Sequence, residues 1–168
     1  MFKGTYRYKI DPKGRIPVPP PFRRALGEVS QVVVTVLDQC LAAYPPEEWS
    51  RLEAKLSALP ASSKPVRMLS RLLTSRAADC EIDVQGRIRV PPSLRELAGL
   101  SKEAVVVGVL NRFELWAPAI WDGFLQDSER LLDDVSLDVQ WPPPAPTPST
   151  EPGEASPLPG RPQGKSSR

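Results

Sequence analysis

Two arginines, each following a glycine in the same five-residue pattern, are the residues of this sequence best suited to recognising another molecule. The pattern Asp-x-x-Gly-Arg runs from Asp11 to Arg15 and again from Asp83 to Arg87. A planar guanidinium can donate two parallel hydrogen bonds to a phosphate or to the edge of a guanine. The aspartate four residues earlier can orient the arginine or cap the turn. The competing interpretation is an ion pair within the turn, which contributes little stability at a surface.

These patterns lie inside a longer internal repeat with an offset of 72 residues. Residues 10–27 align without gaps on residues 82–99, and ten of the eighteen positions are identical. The same offset carries Trp49 onto Trp121. One register kept over about forty residues indicates a duplication. The chain therefore contains two copies of one module.

Both copies predict the same order of elements. A strand enters the Asp-Gly turn, where glycine supplies a positive φ, and a second strand leaves the turn and stops at a Pro-Pro pair. A short helix and two strands follow, predicted at 21–26, 32–37 and 41–44 and, in the second copy, at 93–98, 104–109 and 113–116. Apolar residues three and four apart predict longer helices over 46–59, 65–76 and 119–132. The prediction is an α+β fold with a mainly β core, in which Trp49 and Trp121 pack helices on the sheet.

The composition argues against an enzyme. The sequence has no histidine, which removes the commonest general base and the commonest zinc ligand. It also has no glycine-rich phosphate loop and no paired carboxylates in a predicted cleft. Cys40 and Cys80 are too few for a disulfide framework and are predicted to be buried. We therefore expect no catalytic residues, no metal and no cofactor.

The charge distribution divides the chain into three parts. Residues 1–76 carry a net charge of +7, residues 77–141 carry −6, and residues 142–168 carry +1. A polyanionic partner should therefore meet the first part. The last part holds nine prolines and one large aliphatic residue, so it is predicted to be a disordered tail. No apolar run could span a bilayer and no signal peptide is evident, so we expect a cytoplasmic protein without a membrane partner.

The doubled Asp-x-x-Gly-Arg-Ile-x-Val-Pro segments resemble the swapped-hairpin DNA-binding modules of the AbrB/MazE type. Two such modules in one chain, after a Met-Phe-x-Gly start, resemble the MraZ family of bacterial transcriptional regulators. The resemblance covers about residues 1–140 and implies AbrB-like modules at 1–76 and 77–141, whose hairpins exchange to form a β-barrel-like unit with flanking helices. It also implies a homo-oligomeric ring and repression of the protein's own operon, in the division and cell-wall gene cluster, through direct repeats in promoter DNA. Such a regulator would be associated with the nucleoid.

The residues permit a physical account of DNA binding. A two-stranded ribbon fits the major groove of double-stranded DNA, where Arg15 after the turn can reach a guanine, with Asp11 to orient it. Arg87 and Asp83 are the equivalent pair in the second copy. Phosphates could be neutralised by cations on or near the first hairpin. These cations are Lys3, Arg7, Lys9 and Lys13.

The second copy is the weaker candidate for DNA contact. Gln85 replaces Lys13, and Asp79 and Glu81 replace the first strand's cations. We therefore expect the first hairpin to dominate binding and the second mainly to complete the core. Pro17 departs from the pattern, because a proline within a strand must face outward or form a bulge.

Two other functions remain open. An antitoxin-like protein would bind DNA with its hairpins and neutralise a protein partner with its proline-rich tail, although antitoxins of this hairpin type usually carry one module per chain. A structural ring without DNA function is the other alternative.

Overall fold

The computed structural model describes residues 1–135, with side chains described as far as residue 128. The predicted tail at 142–168 lies outside the described residues. Helices and strands follow one another in the order predicted, with bounds within about two residues of those predicted for most of them. They are β1 Phe2–Lys9, β2 Arg15–Pro17, α1 Pro20–Leu26, β3 Gln31–Leu37, β4 Cys40–Tyr44, α2 Pro46–Ser57, α3 Lys64–Ser75, β5 Ala78–Glu81, β6 Arg87–Arg89, α4 Pro92–Leu97, β7 Glu103–Leu110, β8 Arg112–Trp116 and α5 Pro118–Val135.

Prolines and glycines set the ends of the helices. Each described helix has a proline at its first or second position, where the missing amide hydrogen costs no hydrogen bond. The short helices α1 and α4 are followed by Gly27 and Gly99, whose φ angles are 62° and 64°. A glycine with a positive φ at this place ends the helix. The predicted glycine stops are confirmed.

The sheets combine strands from both copies. One is a six-stranded antiparallel sheet in the order β1-β7-β8-β4-β3-β5, and the other pairs β2 with β6. In the large sheet, β1 of the first copy pairs with β7 of the second, and β5 of the second pairs with β3 of the first. The α+β prediction with a mainly β core is confirmed.

The pairing registers give the two copies an approximate twofold symmetry. Gln31 pairs with Glu81 in the structure. The equivalents of these residues in the other copy, 72 positions away, are Glu103 and Lys9, and these two residues also pair with each other. Ile16 pairs with its own equivalent Ile88. The pseudo-twofold axis therefore passes between these two isoleucines, at the middle of the small sheet.

Within one copy, the hairpin is limited to the tip of the turn. The Asp11 amide donates to the Arg15 carbonyl oxygen at 3.1 Å, but the strands before and after the turn then pair with strands of the other copy. The exchange covers one edge of β3 and one edge of β7 with a strand of the other copy. The two-stranded ribbon is thus β2 with β6, one strand from each copy.

The large sheet separates two apolar layers. On one face, Phe22 of α1 and Leu94 of α4 pack with Ile16 and Ile88 against the sheet. On the other face, helices α2 and α5 pack on the sheet through apolar clusters that contain Trp49 and Trp121. Both tryptophans and both cysteines are buried, as predicted. In the described part of the chain, no helix is long and apolar enough to cross a bilayer.

Gly108 tests the pairing of β1 with β7. A Cβ atom at this position would lie 2.3 Å from the Lys3 backbone nitrogen and 2.6 Å from the Phe2 carbonyl carbon. Because both obstacles are backbone atoms, Gly108→Ala must displace β1, and we expect a loss of about 1–3 kcal/mol in the free energy of unfolding. Chemical denaturation of the purified variant measures this loss.

Gly123→Ala is the matched control. A Cβ atom there meets nothing within 4 Å, and the residue lies inside α5, so this variant should gain about 0.5–1 kcal/mol. Equal stability of the Gly108→Ala variant and the wild type would contradict the observed strand pairing.

Candidate nucleic-acid interface

The outward face of the β2–β6 ribbon carries three arginines and one proline. Ile16 and Ile88 are fully buried, so the residues on either side of each point away from the core. In the ladder, Arg15 lies opposite Arg89 and Pro17 lies opposite Arg87. Pro17 accordingly faces outward, which is one of the two placements that the sequence allowed.

Each turn is capped by its aspartate. Oδ1 of Asp11 accepts hydrogen bonds from the Lys13 and Arg15 amides, both at 2.9 Å. In the second copy, Oδ1 of Asp83 accepts the Gln85 and Arg87 amides, both at 3.0 Å. Gly14 and Gly86 have φ angles of 77° and 74°, a conformation that side chains other than glycine rarely adopt. The predicted capping role of the aspartates is confirmed.

The two aspartates and two arginines form one cluster at the pseudo-twofold axis, which we call the Asp–Arg quartet: Asp11, Arg15, Asp83 and Arg87. Within each copy, the Nε–Oδ2 distance is 2.5 Å for Arg15 and Asp11 and 2.9 Å for Arg87 and Asp83. Between the copies, Arg15 Nη1 lies 3.9 Å from Asp83 Oδ2, and Arg87 Nη1 lies 3.7 Å from Asp11 Oδ2. The side chains are 24–29% exposed. The ion pair considered as the competing interpretation is thus present, and it links both copies.

The quartet favours ionised aspartates. Hydrogen bonds from the Arg15 amide and guanidinium hold the pKa of Asp11 below its ordinary value, although partial desolvation opposes them. The Arg87 side chain does the same for the pKa of Asp83. Each carboxylate therefore stays charged and keeps its arginine oriented.

Two arginines that the sequence analysis did not single out lie across the turn glycines of the opposite copy. A Cβ atom on Gly14 would lie 2.7 Å from Cζ of Arg95, and one on Gly86 would lie 2.5 Å from Nη1 of Arg23. Arg23 and Arg95 are equivalent positions of the repeat and are identical in it. That identity was the available signal, since neither arginine belongs to the apolar core and core packing gives no reason for a cation to recur in both copies.

The cations predicted to contact phosphate are not all close to the quartet. Lys13 is exposed on the first turn. Lys3, Arg7 and Lys9 alternate in β1 with Phe2, Tyr6 and Tyr8, which pack on the quartet side of the sheet. Lys3, Arg7 and Lys9 therefore lie on the face of the large sheet that is turned away from the quartet. On that face, Arg7 forms an ion pair with Asp122 of α5.

Nothing in the described residues offers a metal site, because no three His, Cys, Asp or Glu side chains are grouped to hold an ion. The two thiols are also poor ligands or nucleophiles. Burial raises the pKa of Cys80 to about 11 and raises the pKa of Cys40 as well.

Comparison with known proteins places the duplication in a family. The sequence model described as "MraZ protein, putative antitoxin-like" matches residues 1–72 and again residues 73–136. The chain belongs to the MraZ family. The boundary between the two matches falls at the same offset as the internal repeat, so each copy corresponds to one MraZ unit.

Relatives in the MraZ family are similar over almost their whole length. A protein of Ligilactobacillus salivarius (strain UCC118), named "Transcriptional regulator MraZ", is 49% identical over 136 residues, which cover 81% of this chain and 94% of the relative. A protein of the same name from Halothermothrix orenii (strain H 168 / OCM 544 / DSM 9562) is 46% identical over 140 residues, covering 83% and 97%. The resemblance to the MraZ family inferred from the doubled motif is confirmed.

Acid should weaken the quartet, and an Asp11→Asn variant of this MraZ-family chain tests the effect. The lowered pKa of Asp11 in the folded state means that its contribution to stability is present above the ordinary pKa and is lost as the pH falls through the folded value. Asparagine can still cap the turn but lacks the charge. We expect the variant to melt below the wild type at pH 7.

Thermal unfolding from pH 7 down to pH 2 provides the measurement. The difference in Tm should narrow once the pH falls below the ordinary aspartate pKa of about 3.9, because the unfolded wild-type chain then binds a proton that the folded aspartate resists. A difference that stays constant across this range would mean that the charge of Asp11 does not stabilise the fold.

Proposed function

We propose that this chain is a sequence-specific, DNA-binding transcriptional regulator that represses its own operon in the division and cell-wall gene cluster. The observation that carries the proposal is the outward face of the β2–β6 ribbon, where arginines from both copies surround an axis of symmetry. The names of the relatives, both "Transcriptional regulator MraZ", support the regulatory role.

The ribbon has the dimensions of a major-groove reader. Two paired strands fit the groove, and arginine bonded to the O6 and N7 atoms of guanine is the commonest specific contact there. Arg15 hydrogen-bonds Asp11 through Nε, which orients the guanidinium. Its Nη1 group lies 3.9 Å from Asp83 Oδ2, too far for a hydrogen bond, so both terminal Nη groups could still donate to a base. In this proposal the quartet prepares Arg15 and Arg87 for DNA by fixing their side chains before binding.

The remaining predicted cations have different parts in the proposal. Lys13 on the first turn would contact phosphate beside the groove. Lys3, Arg7 and Lys9 lie on the far face of the sheet, so they would attract DNA at longer range through the positive potential of the first copy.

The fold is also proposed to be of the AbrB-like swapped-hairpin type, which the exchange of strands between the copies supports.

A ring of several chains would make binding tight. One ribbon with few phosphate contacts binds weakly at cellular salt concentrations. Several ribbons held in one homo-oligomer and facing successive direct repeats gain from effective concentration. The proposal therefore places the protein on promoter DNA, and hence at the nucleoid.

Other functions have less support. Membership of the MraZ family confirms the expectation that the chain is not an enzyme. The antitoxin-like alternative depends on the tail, which lies outside the described residues, and it stays a prediction.

Nuclease protection of the DNA upstream of the gene tests the proposed regulator directly. Protected direct repeats at regular spacing are expected, and uniform cleavage with or without protein would refute it.

Arg15 is the residue whose removal should reduce sequence selectivity most. Loss of a bidentate guanine contact costs about 1–3 kcal/mol, which is roughly a 5- to 150-fold loss of affinity for the promoter duplex. Arg15→Ala should show this loss, and Arg87→Ala should show a smaller one, since the second copy has fewer nearby cations. Fluorescence anisotropy titration with the promoter duplex and with a random duplex measures both.

Arg15→Lys is the control for charge. It keeps the cation, so the salt dependence of binding should stay near that of the wild type while selectivity falls. A larger loss from Arg87→Ala than from Arg15→Ala would reverse the proposed order of the two turns.

A further inference from the structure

The surroundings of the first turn are built largely by the second copy. Arg89 of β6 lies directly opposite Arg15, on the outward face of the ribbon. Arg95 of α4 lies across Gly14, and Lys13 is exposed on the turn itself. Sequence distance concealed this arrangement, because the two arginines stand more than 70 positions after the turn.

A chain of hydrogen bonds fixes Arg95 over the turn. The Arg95 Nε group donates to the Val90 carbonyl oxygen at 3.2 Å, and the Val90 amide donates to the Gly14 carbonyl oxygen, also at 3.2 Å. The guanidinium lies so close to the turn that a Cβ atom on Gly14 would be 2.8 Å from Nη2 of Arg95. Among the described residues, no ion pair includes Lys13, Arg89 or Arg95.

The second turn lacks this concentration of charge. Its equivalents of Lys13, Arg89 and Arg95 are Gln85, Pro17 and Arg23. Only the last of these is a cation, and Glu28 lines the same surface depression as Arg23. The next residue along each helix reverses this difference in charge, since Arg24 follows Arg23 and Glu96 follows Arg95. Successive residues of an α-helix are about 100° apart around its axis, so neither residue lies on the side of the arginine over the turn. The two ends of the ribbon therefore differ in charge at symmetry-related positions.

We infer that Lys13, Arg89 and Arg95 form a composite phosphate-binding cluster for DNA, with two of its three cations supplied by the second copy. This inference rests on the proposed function and specifies how the first turn would hold the DNA backbone while the ribbon lies in the groove. Lys13 and Arg89 are exposed and Arg95 is half-buried. Cations without an acidic partner, on a surface next to a groove-reading element, are the usual phosphate ligands. The second copy has a net charge of −6. It nevertheless contributes to the DNA contact at the first turn, in addition to its part in the core.

The test replaces cations at equivalent positions of the two ends. Arg89→Gln and Arg95→Gln remove one charge each at the first turn, and Arg23→Gln is the matched control at the second. Binding of the duplex from upstream of the gene and of a random duplex of equal length is titrated at about 50 to 200 mM salt. Each first-turn variant should bind both duplexes roughly fivefold more weakly. The slope of log K against log salt concentration should fall by about one for each chain that contacts the DNA. Arg23→Gln should change binding by less than about twofold.

The outcomes separate this inference from the proposed function. If Arg95→Gln and Arg89→Gln bind both duplexes as Arg23→Gln does, the composite cluster is wrong, while selective binding by the wild type still supports regulation through DNA. If the wild type does not prefer the promoter duplex, the proposed regulator is wrong whatever these variants do. Arg95→Lys guards against misfolding, since it restores the charge and should restore the salt slope. Failure of this rescue would overturn the role of charge at Arg95.

Discussion

Each copy of the duplicated module depends on the other copy for much of its strand pairing, although β3 with β4 and β7 with β8 pair within one copy. The outer edge of β7 is paired by β1 and that of β3 by β5, and the small strands β2 and β6 pair only with one another. An unpaired strand edge leaves amides and carbonyls without partners and invites association with other chains. Exchange of strands covers these two edges and leaves β1 and β5 as the outermost strands of the sheet, and it brings both Asp-Gly turns to a single axis.

That axis determines where charge can accumulate. Ile16 and Ile88 fill the core side of the ribbon, which forces Arg15, Arg87 and Arg89 outward. The arginines of the quartet are compensated by Asp11 and Asp83, so they need not repel one another. Arg89 has no such compensation in the described structure and remains available to an anion. Symmetry of the backbone therefore coexists with asymmetry of the surface, since two copies with one fold have diverged in their exposed residues.

Much of the fold could be predicted because it follows from local signals. The spacing of apolar residues, the prolines at the start of each helix and the glycines after the short helices determined most element bounds to within a few residues. The capping role of Asp11 was also predictable, since an aspartate three residues before a glycine suits this turn. The placement of Lys3, Arg7 and Lys9 was not, because alternation in β1 assigns them to a face only once the partner strand and the helix over it are known.

The sequence by itself determined the duplication, the two capped turns and the membership of a family, since each of these is written in residues close together or repeated at one offset. Only the tertiary structure decided which strand pairs with which and which arginines stand beside the first turn. The physical reason is the repeat itself: strands of the two copies present nearly the same edges and apolar faces, so local sequence does not distinguish pairing within a copy from pairing between copies. In the structure, pairing between the copies places Ile16 beside Ile88 in one continuous core.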